Sequence, residues 1–291
     1  MKLHTIDTGN FKLDGGAMFG VVPKSIWNGL NPADANNMCS WAMRCLLIED
    51  GNKLILIDNG IGDKQDAKFF SHYYLHGDKS LEGSLKNKGF SMDDITDVFL
   101  THLHFDHCGG SIKYNAEKNL LVPAFKNATY WSHADHWQWA TKPNPREKAS
   151  FLKDNILPIQ ESGQLKFITS KASEHHELEW LSGAEIHPNL DILVVRGHTD
   201  AMMLPKIKIG SRHLIFMADL LPSAGHIPLP YVMAYDTRPL ITMKEKSAFL
   251  NYAQAEQLTL FFEHDPVHEC GSLHATDKGI RLKDTFSLAE M

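Results

Sequence analysis

The sequence lacks the usual marks of an exported, membrane-spanning or nucleic-acid-binding chain. It has four cysteines in 291 residues, Cys39, Cys45, Cys108 and Cys270, and none lies in a C-x-x-C pair. A disulfide framework is therefore not expected, and the cysteines read as reduced thiols. No apolar run approaches the ~20 residues of a membrane span. The opening Met1–Asp7 has no long apolar core of the signal-peptide kind, so a cytoplasmic location is expected. Neither sign of charge dominates: 29 Lys and Arg stand against 35 Asp and Glu, a net charge of -6. Nucleic acid and anionic membrane are thus not expected as partners. The remaining composition, 43% hydrophobic and 22% charged, fits a globular protein with a sizeable core. The length permits one large domain or two smaller ones.

What is present is concentrated in one stretch, Asp97-Val98-Phe99-Leu100-Thr101-His102-Leu103-His104-Phe105-Asp106-His107-Cys108-Gly109-Gly110. Val98, Phe99 and Leu100 read as a short buried strand. Three histidines and an aspartate follow within six residues, and a Gly-Gly pair ends the run. In extended chain, residues i and i+2 point to the same side, about 6.6 Å apart. His102 and His104 can therefore face one metal ion, and a turn after them would bring Asp106 and His107 to a second position. Buried together without a cation, such groups would leave polar atoms unsatisfied at ~1–3 kcal/mol each. Cys108, beside a candidate ligand, reads as a small buried filler.

The same grammar recurs along the chain. Short strands are expected at 3–6 and 17–22, then at 42–48 and 54–57. The latter ends at Asp58, a carboxylate placed either to orient a ligand histidine or to cap a turn. Residues 63–77 and 80–89 read as helices. His72 and His76 lie four apart on the first, with no third ligand near. After a strand at 128–131, a helix capped by Ser132 carries His133, His136, Trp137 and Trp139, read as packing or pocket wall. A helix is expected at 146–157 and a strand at 165–169. The region 170–189, with His175-His176, has no clear period. Hydrophobic strands at 191–195, 213–217 and 258–262 end at Gly197-His198-Thr199, Asp219 and His264, with a helix at 242–257. Strand ends on one edge can meet at a common cleft, the usual place for a site built by loops on a rigid scaffold.

The T-H-x-H-x-D-H run at Thr101–His107, with Gly197-His198-Thr199, Asp219 and His264 in that order, resembles the metallo-β-lactamase superfamily. The resemblance covers nearly the whole chain. It implies an α/β (α+β) fold, a four-layer αββα sandwich, as a single domain over 1–291 with two pseudo-repeated halves, 1–145 and 190–291. It implies a metal-dependent hydrolase with two divalent ions, zinc first and iron, manganese or cobalt as alternatives. His102, His104 and His198 would hold one ion, Asp106, His107 and His264 the other, and Asp219 would bridge both. Asp106 would also be catalytic, accepting and returning the proton when a metal-bridging hydroxide attacks. Family members that reduce oxygen at a di-iron centre have a carboxylate at the position of His104, so the histidine favours hydrolysis.

Gly16–Lys24, Asp58–Gly62, Ala218–Ser223, Met233–Asp236 and Lys244–Lys246 are similar to N-acyl-homoserine lactonases, the quorum-quenching enzymes, and to methyl parathion hydrolase. The implied substrate is a small molecule, a lactone such as an N-acyl homoserine lactone. A phosphotriester or aryl ester is the alternative, and a non-hydrolytic di-iron or metal-binding protein the third reading. Phe19, Trp27, Trp137, Met202, His226 and Tyr235 are the candidate substrate contacts. Well-known lactonases have a tyrosine three residues after the bridging aspartate, where this chain has Pro222; Tyr235, His226 and Ser223 are its candidate replacements. A homodimer is left open.

Overall fold

The computed structural model describes residues 1–169 and 177–291, so the His175-His176 pair lies outside the described residues. The chain divides into two compact units. The first comprises 1–11 and 43–169, the second 12–42 and 170–291.

The first unit is built on a six-stranded mixed sheet. Its order is Lys2–Asp14, Met38–Asp50, Lys53–Ile57, Asp97–Phe99, Thr129–Ser132 and Leu165–Phe167, the outer parts of the first two strands being counted with the second unit. Lys53–Ile57, Asp97–Phe99 and Thr129–Ser132 run parallel in step, with Ile57 opposite Phe99 and Phe99 opposite Trp131. Parallel strands that stop at one level release their next residues on one edge. Asp58 and Leu100 leave there, their amides still donating to Phe99 O and Trp131 O. The helices Leu81–Asn87, Ala134–Thr141 and Lys153–Glu161 accompany this sheet, and Leu85, Trp137, Ala140, Ile156 and Ile159 enter a core with Leu47, Leu56, Val98 and Tyr130.

The second unit carries a seven-stranded sheet in the order Gly279–Phe286, Cys270–Thr276, Thr259–Phe261, Arg212–Phe216, Met202–Ile209, Leu190–Val195 and Glu179–Ser182. Arg212–Phe216 and Thr259–Phe261 are parallel, with Phe216 opposite Phe261. Leu190–Val195 and Arg212–Phe216 each run antiparallel to the strand between them, so these two also share a direction. The three strands therefore end on one edge, where His198, Asp219 and His264 follow. The long helix Pro239–Ala255 buries Thr242, Lys246, Phe249, Leu250 and Ala253, one face at helical spacing. No helix among the described residues is long and apolar enough to cross a membrane.

Mixed sheets with helices match the expected fold class, but several local expectations differ. Residues 17–22 form no strand. Asp14 ends a longer first strand and caps the helix Gly15–Phe19, its Oδ1 accepting from Ala17 N at 2.8 Å. The helix expected over 63–77 is only Ala67–Ser71, with its Asp66 cap, and His72 and His76 are exposed. The helix expected at 146 begins at Lys153, after a turn over 145–150. The cap of Ala134–Thr141 is His133, whose Nδ1 accepts from Asp135 N, rather than Ser132. The hairpin of Cys270–Thr276 and Gly279–Phe286 was not anticipated.

Candidate metal centre

In the first unit, Thr101 to His107 turn off the parallel strands as expected. His102, His104, Asp106 and His107 are all buried. Their turn is held from behind by backbone packing that only glycine allows. A Cβ on Gly109 would lie 2.1 Å from Ile61 O, and one on Gly62 would lie 2.5 Å from Gly109 O. Lys64 Nζ donates to Gly109 O at 2.5 Å, placing a buried cation at the end of the short Phe105–Cys108 helix. Burial pushes this ammonium down to about 8.

Each histidine has one ring nitrogen fixed by a partner, and the partner decides where its proton sits. Thr101 Oγ1 gives its own proton to Asp58 Oδ2 at 2.6 Å, so it accepts from His102 Nδ1 at 3.1 Å. Asp58 Oδ2 also accepts from His107 Nδ1 at 3.1 Å. Asp58 thus orients the His107 ring, and through Thr101 it bears on His102. Glu147 Oε1 accepts from His104 Nε2 at 3.4 Å, and its Oε2 accepts from Trp139 Nε1 and Asn144 Nδ2. The second ring nitrogens are His102 Nε2, His104 Nδ1 and His107 Nε2. The first two face each other at 3.1 Å, and the third lies 3.8 Å from Asp106 Oδ2.

The second unit shows the same logic. Asp236 Oδ1 accepts from His198 Nδ1 at 2.8 Å, and Ala42 O accepts from His264 Nδ1 at 2.7 Å. The Nε2 atoms of the two rings face the two oxygens of one carboxylate. His198 Nε2 is 3.1 Å from Asp219 Oδ2, and His264 Nε2 is 3.2 Å from Asp219 Oδ1. Asp219 thus stands between two imidazoles, one oxygen to each.

These arrangements fit divalent cations. In each of these contacts one proton shared between the two atoms, or a cation held by both, satisfies the pair, and a divalent cation can take the proton's place. The carboxylates on both sides of His198 favour positive charge on the ring. Burial works against its charge, yet Asp219 and Asp236 outweigh the burial and hold the imidazolium up to about 10. The pocket is built to carry positive charge, and a metal meets that need where a proton otherwise would. The donors are nitrogen and oxygen, which suits zinc, iron, manganese or cobalt.

The candidate substrate contacts fall differently. Trp137 belongs to the first unit's core and Met202 to a buried strand opposite Val195, so both side chains are buried. Trp27 and Phe19 are also buried, stacked with centroids 5.6 Å apart, and Phe19 stacks on His226 at 4.5 Å. His226 has both nitrogens engaged: Nε2 donates to Met18 O at 2.9 Å, and Nδ1 accepts from Ser223 Oγ at 2.7 Å. Burial outweighs that carbonyl and drives the imidazole down to about 3, so it stays neutral. Tyr235, 40% exposed, alone of the six offers substantial free surface.

Several supporting residues were not read from the sequence: Glu147, Asp236 and Glu245, and the part played by His136. Leu103 N donates to His136 Nε2 at 2.8 Å, which keeps the His102–His104 turn in place from behind. No local pattern announced this task of His136. The four cysteines are free thiols, all buried; burial pushes Cys39 up to about 11 and Cys108 to about 12, as inert packing residues require.

Comparison with known proteins agrees with this chemistry. The family model described as metallo-beta-lactamase superfamily matches residues 44–264. An N-acyl homoserine lactonase of Bacillus thuringiensis is 22% identical over 278 residues, 91% of this chain and 93% of that protein. A probable metal-dependent hydrolase from Staphylococcus aureus has a similar structure, with a TM-score of 0.82 and 26% identity over 98% of each chain. AidC, described as a dizinc quorum-quenching lactonase in complex with a product, superposes with a TM-score of 0.76 at 22% identity, over 98% of this chain and 95% of its own. A match over so much of the chain, together with the histidine and aspartate groups at the strand ends, settles its kinship: this protein belongs to the metallo-beta-lactamase superfamily and is a metal-dependent hydrolase.

Proposed function

We propose that the protein opens lactones, N-acyl homoserine lactones among them, with two zinc ions held by seven buried side chains. His102, His104 and His198 would bind one, Asp106, His107 and His264 the other, and Asp219 both. The observation that carries this is the carboxylate of Asp219 set between two imidazoles whose outer nitrogens are already committed. The lactonase names among the relatives support the substrate class. When bound, two divalent cations supply a solvent nucleophile ionised near neutral pH and polarise the substrate oxygen. The chain's own part is to hold the ligands in one tautomer and to exclude water behind them. Asp106 accepts the proton of the attacking water at its carboxylate and returns it to the ring oxygen as the acyl–oxygen bond breaks. The product is the open hydroxy acid.

One observation favours the wider ester reading. Pro222 supplies no hydroxyl after Asp219, and the neighbouring Ser223 hydroxyl is bound to His226. A lactone carbonyl would lack the phenol that well-known lactonases offer, and a phosphotriester or aryl ester does not need it. The test is a panel of short- and long-chain acyl lactones beside paraoxon-type esters, run on chelated and zinc-restored protein. Lactone turnover that disappears with chelation and returns with zinc supports the proposal. Ester turnover with lactones untouched selects the alternative, and metal-independent turnover refutes both.

A further inference from the structure

We propose that Glu245, on the long helix Pro239–Ala255, is the positioning residue that sets the orientation of His198. The two oxygens of its carboxylate accept from consecutive backbone amides at the strand end, Oε1 from Arg196 N at 2.7 Å and Oε2 from Gly197 N at 3.0 Å. Two adjacent N–H groups held by one carboxylate fix the peptide planes 195–196 and 196–197, which lead into the one that carries His198. The following atoms are held from the same segment. Arg238 N donates to Gly197 O at 2.9 Å, and Thr237 N donates to His198 O at 3.0 Å. Asp236 takes the ring proton at 2.8 Å. The fit leaves no slack: a Cβ on Gly197 would lie 2.3 Å from Thr242 N. Residues 236–245 therefore form one clamp that grips backbone and imidazole together. Within this clamp Glu245 is a charged acceptor for the main chain at two consecutive residues.

The inference rests on the reading of His198 as a metal ligand. It is tested with the full chain loaded with cobalt(II), comparing wild type, Glu245→Gln, Glu245→Asp and the control Glu179→Gln. Glu179 pairs with the Arg196 guanidinium and does not touch the backbone turn. In Glu245→Gln the amide nitrogen meets an N–H it cannot accept from. The expected result is a 10–100-fold loss of affinity for one of the two cations in chelator competition, the range for a lost supporting partner. The cobalt absorption bands should change as well. Glu179→Gln should keep both affinities and the wild-type bands. Circular dichroism of the metal-free variants checks folding. Should Glu245→Gln fail to fold, Glu245→Asp, which keeps both acceptors at shorter reach, takes its place with the same expectation. A Glu245 variant that binds both cations with wild-type affinity and spectrum overturns this role alone. A wild type that binds no cation removes the metal reading, and this inference with it.

Discussion

Replacing Asp58 by Asn should disable one metal position and spare the other. Asp58 is fully buried and accepts from three donors: Thr101 N at 2.8 Å, Thr101 Oγ1 at 2.6 Å and His107 Nδ1 at 3.1 Å. In Asp58→Asn the amide oxygen keeps Thr101 N, and the NH2 group replaces the oxygen that served the other two. The Thr101 hydroxyl can rotate and accept. His107 can escape the donor–donor clash only by moving its proton from Nδ1 to Nε2, the nitrogen intended for the metal. Hydrogen bonds to charged groups contribute ~1.5–3 kcal/mol each, so the loss of one corresponds to about 10–100-fold in metal affinity. Asp236→Asn applies the same change to His198. Chelator competition on the zinc-loaded protein should show two binding steps. Asp58→Asn should weaken one and Asp236→Asn the other. Both variants weakening the same step, or Asp58→Asn leaving both steps intact, would refute the tautomer argument.

Other perturbations test separate parts of the account. Gly109→Ala forces a methyl group against Ile61 O and should cost at least ~1–3 kcal/mol in urea unfolding, with loss of metal retention. Lys246 is buried, its ammonium donating to Pro228 O and Tyr231 O at 2.9 Å, and burial pushes it down to about 7 from 10.5. Between those values the unfolded chain holds the extra proton, so this residue makes stability rise with pH. Urea midpoints at pH 7 and 9.5 should show a gain in wild type that Lys246→Met lacks. His226→Phe keeps the stack on Phe19 but strands the Ser223 hydroxyl and Met18 O, at ~1–3 kcal/mol for each group that finds no water. Removing metal with a chelator should lower stability by about 4 kcal/mol for each ion lost, relative to protein at a thousandfold excess over Kd, read as a fall in Tm.

The sequence was most informative where chemistry is local. The run from Val98 to Gly110 announces itself, because an apolar strand that turns at once into histidines and aspartate has few other uses. The strand ends before His198, Asp219 and His264 were legible for the same reason. Their supports were not. Glu147 lies 43 residues from His104, Asp236 lies 38 from His198, and Glu245 lies 48 from Gly197. Such pairs exist only after strands and helices have packed, and no period or spacing encodes them. The burial of the large apolar side chains was hidden for a related reason. Trp137 and Met202 read as candidates for a pocket mouth, and helix and strand geometry buries both. The helix Gly15–Phe19 was hidden behind an apolar run that reads as strand until Asp14 is seen as its cap.

The central claim is that seven side chains from 102 to 264 hold two neighbouring cations. The most direct measurement is anomalous diffraction at the zinc edge from crystals of zinc-loaded protein. Two peaks are expected, one bounded by His102, His104 and His198, the other by Asp106, His107 and His264, with Asp219 touching both. A single peak, or peaks away from these residues, would contradict it.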